Sequence, residues 1–120
     1  MERNKFVVFD FDGVIHDYKG LWSAPDIIDG KPVKGIKEAI ESIREAGYLV
    51  SVVSVRCTFV GGSQAIMDWL KKHDIEIDHI SSQKPHALCY IDDRAICFDG
   101  HAETLLDKIN NFTPWNGLTI

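Results

Sequence analysis

The sequence predicts a three-layer α/β fold with a mostly parallel central sheet and helices on both faces. Three observations predict it. Apolar, β-branched runs alternate with segments of helical period. The runs are continuous rather than alternating, as expected of strands buried on both faces. The connections between most of them are short, which suits repeated strand–helix units.

The first run, Phe6-Val7-Val8-Phe9, reads as the opening strand. Ile36, Ala39, Ile40 and Ile43 then fall at i, i+3, i+4 and i+7, and Gly47 closes that helix. Tyr48 to Val55 is the second strand-like run. Ile66, Met67, Trp69 and Leu70 mark a second helix, with Ser63 expected to cap its start and Lys71-Lys72 complementing the dipole at its end. His79-Ile80 reads as a short third strand, and Leu88-Cys89-Tyr90-Ile91 as a fourth. Ala95-Ile96-Cys97-Phe98 either extends the sheet or forms a turn. Leu105, Leu106, Ile109 and Phe112 mark a third helix. The segment from His16 to Pro32 fits neither period, with Gly20, Pro25, Gly30 and Pro32 set among Tyr18, Leu21 and Trp22. It follows the first strand, at the carboxyl edge where open α/β sheets bind ligands, and reads as a functional flap.

Composition sets bounds. The 120 residues are expected to make one domain, with no separate cofactor or substrate domain. At 45% hydrophobic residues the chain can bury a core, which excludes disorder. Cys57, Cys89 and Cys97 are an odd set without a C-x-x-C pair, as expected of reduced thiols. The five histidines form no i,i+4 pair, so they carry no zinc reading. The first apolar run is short and broken by Asp10, unlike a signal peptide, and no stretch has the length of a membrane span. A cytoplasmic, non-membrane protein is the expectation. The formal charge of −5 disfavours a strongly basic nucleic-acid binder.

Chemistry enters where the strands end. The first strand runs into Asp10-Phe11-Asp12-Gly13-Val14-Ile15. While the backbone is extended, Asp10 and Asp12 project to one side. Two such carboxylates at a buried strand end need compensation, and a divalent cation supplies it. Gly13 then permits a turn that a Cβ would hinder. The second strand ends Val53-Ser54-Val55-Arg56, the fourth ends Ile91-Asp92-Asp93-Arg94, and Lys84 lies between them. Singly these read as a strand-terminal hydroxyl, a turn signal and a solvated lysine. In a parallel sheet they gather at one edge.

In that order they resemble the haloacid dehalogenase (HAD) superfamily. Asp10-x-Asp12-Gly-Val-Ile is similar to its motif I, Ser54 to motif II, Lys84 to motif III and Asp92-Asp93 to motif IV, over roughly residues 5 to 95. Ser54-x-Arg56 and Ile91-Asp92-Asp93-Arg94 are also similar to the 3′-phosphatase domain of phage polynucleotide kinases. The resemblance implies a HAD-like Rossmannoid fold and a Mg²⁺-dependent phosphomonoester hydrolase. Asp10 would be the nucleophile that forms an aspartyl-phosphate. Asp12 would be the general acid and base. Ser54 and Lys84 would bind the phosphoryl oxygens. Mg²⁺ would sit on Asp10, the Asp12 carbonyl and Asp92 or Asp93, with Asp92 favoured by position. A second aspartate points to phosphoesters, because a halide leaves without a proton.

The flap has no room for a folded cap, so a capless member is implied, with selectivity left to the flap, a neighbouring subunit or a bulky substrate. Gly13, His16, Trp22 and Arg56 are the candidate substrate contacts. Tyr18 and Trp22 either stack on substrate or fold back onto the flap. Arg56 and Arg94 are candidate phosphate contacts, with Arg94 equally able to pair with the neighbouring carboxylates. Trp115 is expected to pack.

A receiver domain uses similar residues, but its acceptor aspartate follows the acidic pair, the reverse of the order here. Gly61-Gly62-Ser63 lacks the rest of a P-loop. A non-catalytic HAD-like binding protein is the alternative of another class; degenerate members usually lose the nucleophile or the acidic pair, and both are present here. Within the enzyme class a polynucleotide 3′-phosphatase or a nucleotidase stays open. With Asp10, Asp12, Asp92 and Asp93 assigned to a site, the 18 acidic residues fall to 14 against 13 basic ones. The charge argument against a polyanionic substrate weakens accordingly. A homo-oligomer also stays open.

Overall fold

Strand β1 (Phe6–Asp10) is central, and its apolar run is buried through Val7, Val8 and Phe9 in a computed structural model that describes residues 4–118. After the flap come α1 (Ile36–Glu45) and β2 (Leu49–Val53). A 3-10 turn at Val55–Thr58 leads into α2 (Gly62–Lys72), then β3 (His79–Ser81) and β4 (Cys89–Ile91). A further 3-10 turn, Ala102–Thr104, runs into α3 (Leu105–Asn110). The four strands are ordered β3-β2-β1-β4, and all three pairings are parallel. Helices flank the sheet, as the sequence predicts.

Pleating divides the central strands between two faces. Val7 and Phe9 pair in register with Val50 and Val52, and all four join one cluster with Ile40 of α1 and Ile66, Trp69 and Leu70 of α2. Val8, Ser51 and Val53 fall on the other face and are buried too. Burial on both faces explains why the runs are continuous.

Two local expectations differ from the structure, and one that the sequence leaves open is decided by it. Ser63 does not cap α2: the N-cap is Gly61, with no side-chain bond, and Ser63 lies inside the first turn. The chain turns into α2 through backbone conformation (φ +82° at Gly61), so a hydroxyl two residues further on has no cap to make. Ala95–Phe98 adds no strand among the described residues, and β4 stays at the sheet edge. The third helix stops at Asn110 and leaves Leu106 and Ile109 largely exposed.

The flap is closed at its stem. His16 and Pro32 form an antiparallel bridge, Asp17 N–H donates to the Lys31 carbonyl at 2.9 Å, and Val33 N–H donates to Ile15 at 2.8 Å. Between them residues 17–31 form neither helix nor strand. Among the described residues no folded cap is inserted there or between β2 and β3. No helix is long and apolar enough to cross a membrane.

Candidate active site

Parallel register builds the site. Asp10 pairs with Val53, and Phe9 with Ile91, so Asp92 comes level with Asp10 and Ser54 follows one residue beyond. Strands lie about 4.8 Å apart, so strand-end side chains on β1 and β4 must meet. They do: Asp10, Asp92 and Asp93 offer carboxylate oxygens that all lie within 4.8 Å of one another. Burial, then a hydrogen bond with Asp93 and the charges of Asp92 and Asp93, push the Asp10 carboxyl up to about 8. Without a cation, the Asp10 carboxyl holds its proton far above the usual carboxylate range. An all-oxygen, highly anionic donor set of this kind fits a hard divalent ion such as Mg²⁺.

Gly13 is what lets Asp93 approach. Its φ is +89°, and a Cβ there would overlap the Asp93 carboxylate. The Trp115 indole reaches back across 102 residues and donates to the Gly13 carbonyl at 2.7 Å. Trp115 was expected only to pack; its ring stays largely exposed beside Gly13, Asp92 and Asp93. Nothing local in the sequence announces that contact.

Asp12 sits apart from the acidic cluster and is held by three side chains. His16 Nδ1 donates to Oδ1 at 2.8 Å, and Trp22 Nε1 to Oδ2 at 3.1 Å. Arg56 forks onto both oxygens, Nε at 2.8 Å and Nη2 at 3.2 Å. The His16 and Arg56 bonds outweigh burial and hold the Asp12 carboxyl below its usual range. The His16 tautomer follows from its partners. Gly30 N–H donates to Nε2 at 2.9 Å, so the ring proton sits on Nδ1 and faces Asp12. Trp69 of α2 in turn holds the Gly30 carbonyl at 3.0 Å.

Arg56 was a candidate phosphate contact; the structure gives it other partners. It is 1% exposed. Its Nη1 reaches the carbonyls of Ala24, Pro25 and Ile27 at 3.3, 2.9 and 2.9 Å, and its guanidinium lies 4.6 Å from the Trp22 ring. His16, also a candidate contact, is buried against Phe11 and Trp69. Trp22 is half-buried.

The remaining candidates lie at the same edge. Ser54 is buried, and its Oγ accepts the Arg56 N–H at 3.1 Å, capping the 3-10 turn. Lys84 is more exposed and points Nζ at Asp92 Oδ2, 3.4 Å away. Arg94 N–H donates to Asp92 Oδ1 at 2.9 Å, while its guanidinium lies 5.9 Å from the Phe112 ring. Beside Asp12, the flap and α2 enclose a cavity of about 800 Å³.

No protein-family model and no curated protein matches the chain. Solved structures do. A conserved protein of Bacteroides thetaiotaomicron is 18% identical with a TM-score of 0.60, covering 96% of this chain and 97% of that one. The D,D-heptose 1,7-bisphosphate phosphatase of B. bronchiseptica, solved with magnesium and phosphate, is 19% identical with a TM-score of 0.50. That match covers 68% of this chain and 51% of the phosphatase, so the chain spans about half of it. These likenesses concern the fold alone, a HAD-like Rossmannoid one in which the described residues form no cap domain.

Proposed function

We propose that the protein is a Mg²⁺-dependent phosphomonoester hydrolase that works through an aspartyl-phosphate on Asp10. The observation that carries this reading is the convergence of Asp10, Asp92 and Asp93 within 4.8 Å at the carboxyl edge of a HAD-like sheet. Mg²⁺ would be held by those carboxylates and the Asp12 carbonyl, and would supply the positive charge that lets an anionic nucleophile meet a phosphoryl group. Asp10 attacks phosphorus and the ester oxygen leaves with a proton from Asp12. A water then gives its proton to Asp12 and releases phosphate from Asp10. Ser54 and Lys84 hold the phosphoryl oxygens. The substrate is a phosphomonoester on a small molecule or on an accessible macromolecular end. The exposed, unpaired thiols of Cys89 and Cys97 fit a reducing, cytoplasmic setting.

The test is phosphate release from a panel of mononucleotides, sugar phosphates and 3′- and 5′-phosphorylated oligonucleotides. Activity should require Mg²⁺ and fall by about 10³-fold or more in Asp10→Asn. A parent protein inert across the panel overturns the enzyme reading; activity that survives in Asp10→Asn removes Asp10 as nucleophile. Among active substrates, a KM that climbs steeply with salt would single out an oligonucleotide.

A further inference from the structure

Asp12 has no acceptor position left. A carboxylate offers about four lone-pair sites. His16 Nδ1 and Arg56 Nη2 occupy Oδ1, while Arg56 Nε and Trp22 Nε1 occupy Oδ2. A leaving-group oxygen therefore reaches Asp12 only when one of these donors departs. Arg56 is buried and anchored on three flap carbonyls as well. His16 is buried, bonded at both ring nitrogens and stacked on Phe11 with ring centroids 5.6 Å apart. Trp22 makes one hydrogen bond, lies on the flap between exposed Leu21 and Ser23, and touches the half-exposed Phe59 edge-on. It also lines the cavity of about 800 Å³ between the flap and α2, which has room for a displaced indole.

We propose that Trp22 is a positioning residue for proton transfer: its indole holds Asp12 at rest and yields that acceptor site to the ester oxygen of the substrate. This rests on the phosphatase reading above. In the first step the lone pair that the indole vacates takes up a proton from solvent, and that proton passes from Asp12 to the ester oxygen as the bond between Asp10 and phosphorus forms and the phosphorus–ester-oxygen bond breaks. That oxygen must stand where Trp22 Nε1 stood. An alkyl ester needs the proton, because an alkoxide is a poor leaving group. p-Nitrophenolate leaves without it, so an aryl ester passes this first step, the one that kcat/KM reads, with the indole in place. His16 and Arg56 stay on Asp12 throughout and keep the carboxylate aimed.

The experiment compares kcat/KM for glycerol 2-phosphate and p-nitrophenyl phosphate in the parent and in Trp22→Phe, which keeps the ring over Arg56 and removes the N–H. Displacing a hydrogen bond to a charged group slows only the alkyl ester, so the alkyl-to-aryl ratio should rise about tenfold in the variant. A ratio that stays level or falls overturns the inference while hydrolysis itself upholds the phosphatase reading. A parent inert toward both esters and the wider panel overturns the two together. A second measurement does not depend on the Trp22 variant folding. In 5-fluorotryptophan-labelled Asp10→Asn protein, the Trp22 ¹⁹F resonance, assigned by replacing Trp69 and Trp115 in turn, should shift with Mg²⁺ and glycerol 2-phosphate. A resonance unmoved at a concentration that saturates the parent overturns the inference.

Discussion

At the scale of single residues, the site depends on the side chain that Gly13 lacks. Asp93 lies where a Cβ would be, and the φ of +89° is one that L side chains rarely adopt. Gly13→Ala should cost about 1–3 kcal/mol through backbone strain. It should also push Asp93 away from Asp10, so Mg²⁺ should raise the melting temperature of the variant far less than that of the parent. Thermal melts with and without Mg²⁺ measure both effects. An unchanged Mg²⁺ response would mean that the acidic cluster does not hold the ion. Gly13 was legible as a turn residue because it follows a D-x-D pair. Its closeness to Asp93 was not, since the two lie on different strand ends. Trp115 was less legible still: a lone tryptophan near the C-terminus carries no pattern, and only the folded chain sets its indole against Gly13.

Among elements, the turn after β2 and the flap act as one piece because Arg56 joins them. Its guanidinium binds Asp12 and three flap carbonyls from a fully buried position. Arg56→Met would leave Asp12 shielded from water without two of its four bonds and the carbonyls unpaired. Breaking a buried pair in this way costs about 3–5 kcal/mol. Urea denaturation should show that loss, and limited proteolysis should cut first within residues 17–31. Arg56→Lys keeps the charge but not the fork, and should recover little. A flap no more sensitive than the parent's would mean that its stem bonds, not Arg56, hold it. The elements themselves were legible where burial is two-sided: β1 and β2 write long apolar runs. They were less so at the margins. β3 and β4 have three residues each, and whether Ala95–Phe98 joins an edge depends on pairing that no local pattern encodes.

For the whole molecule, chain order made most of the site readable. A parallel sheet brings every strand's carboxyl end to one edge, so Asp10, Ser54 and Asp92-Asp93 had to meet once the strands were assigned. The Asp12 hub was hidden, because its donors come from the flap and from the turn after β2, which only the closed flap unites. That gathering of charge has a consequence for stability. The Asp10 carboxyl stands near 8 in the fold, against 3.8 in the unfolded chain, chiefly through burial and secondarily through Asp93 and Asp92. Between those values the metal-free fold keeps a proton that the unfolded chain releases, so stability falls as pH rises through that window and levels off above it. Asp12 and Asp78 are held below 3.8, and their contribution is lost only at more acid pH, so they leave the window clear. Mg²⁺ must displace the Asp10 proton to bind, and it does so more easily as pH rises. The metal-free melting temperature should therefore drop between pH 5 and pH 8, while the stabilisation by saturating Mg²⁺ grows over the same interval, by about 4 °C or more. Asp10→Asn has no such proton, and both trends should flatten in it. A Mg²⁺ shift equal at the two pH values in the parent would show that the three carboxylates do not compete for proton and metal at one site.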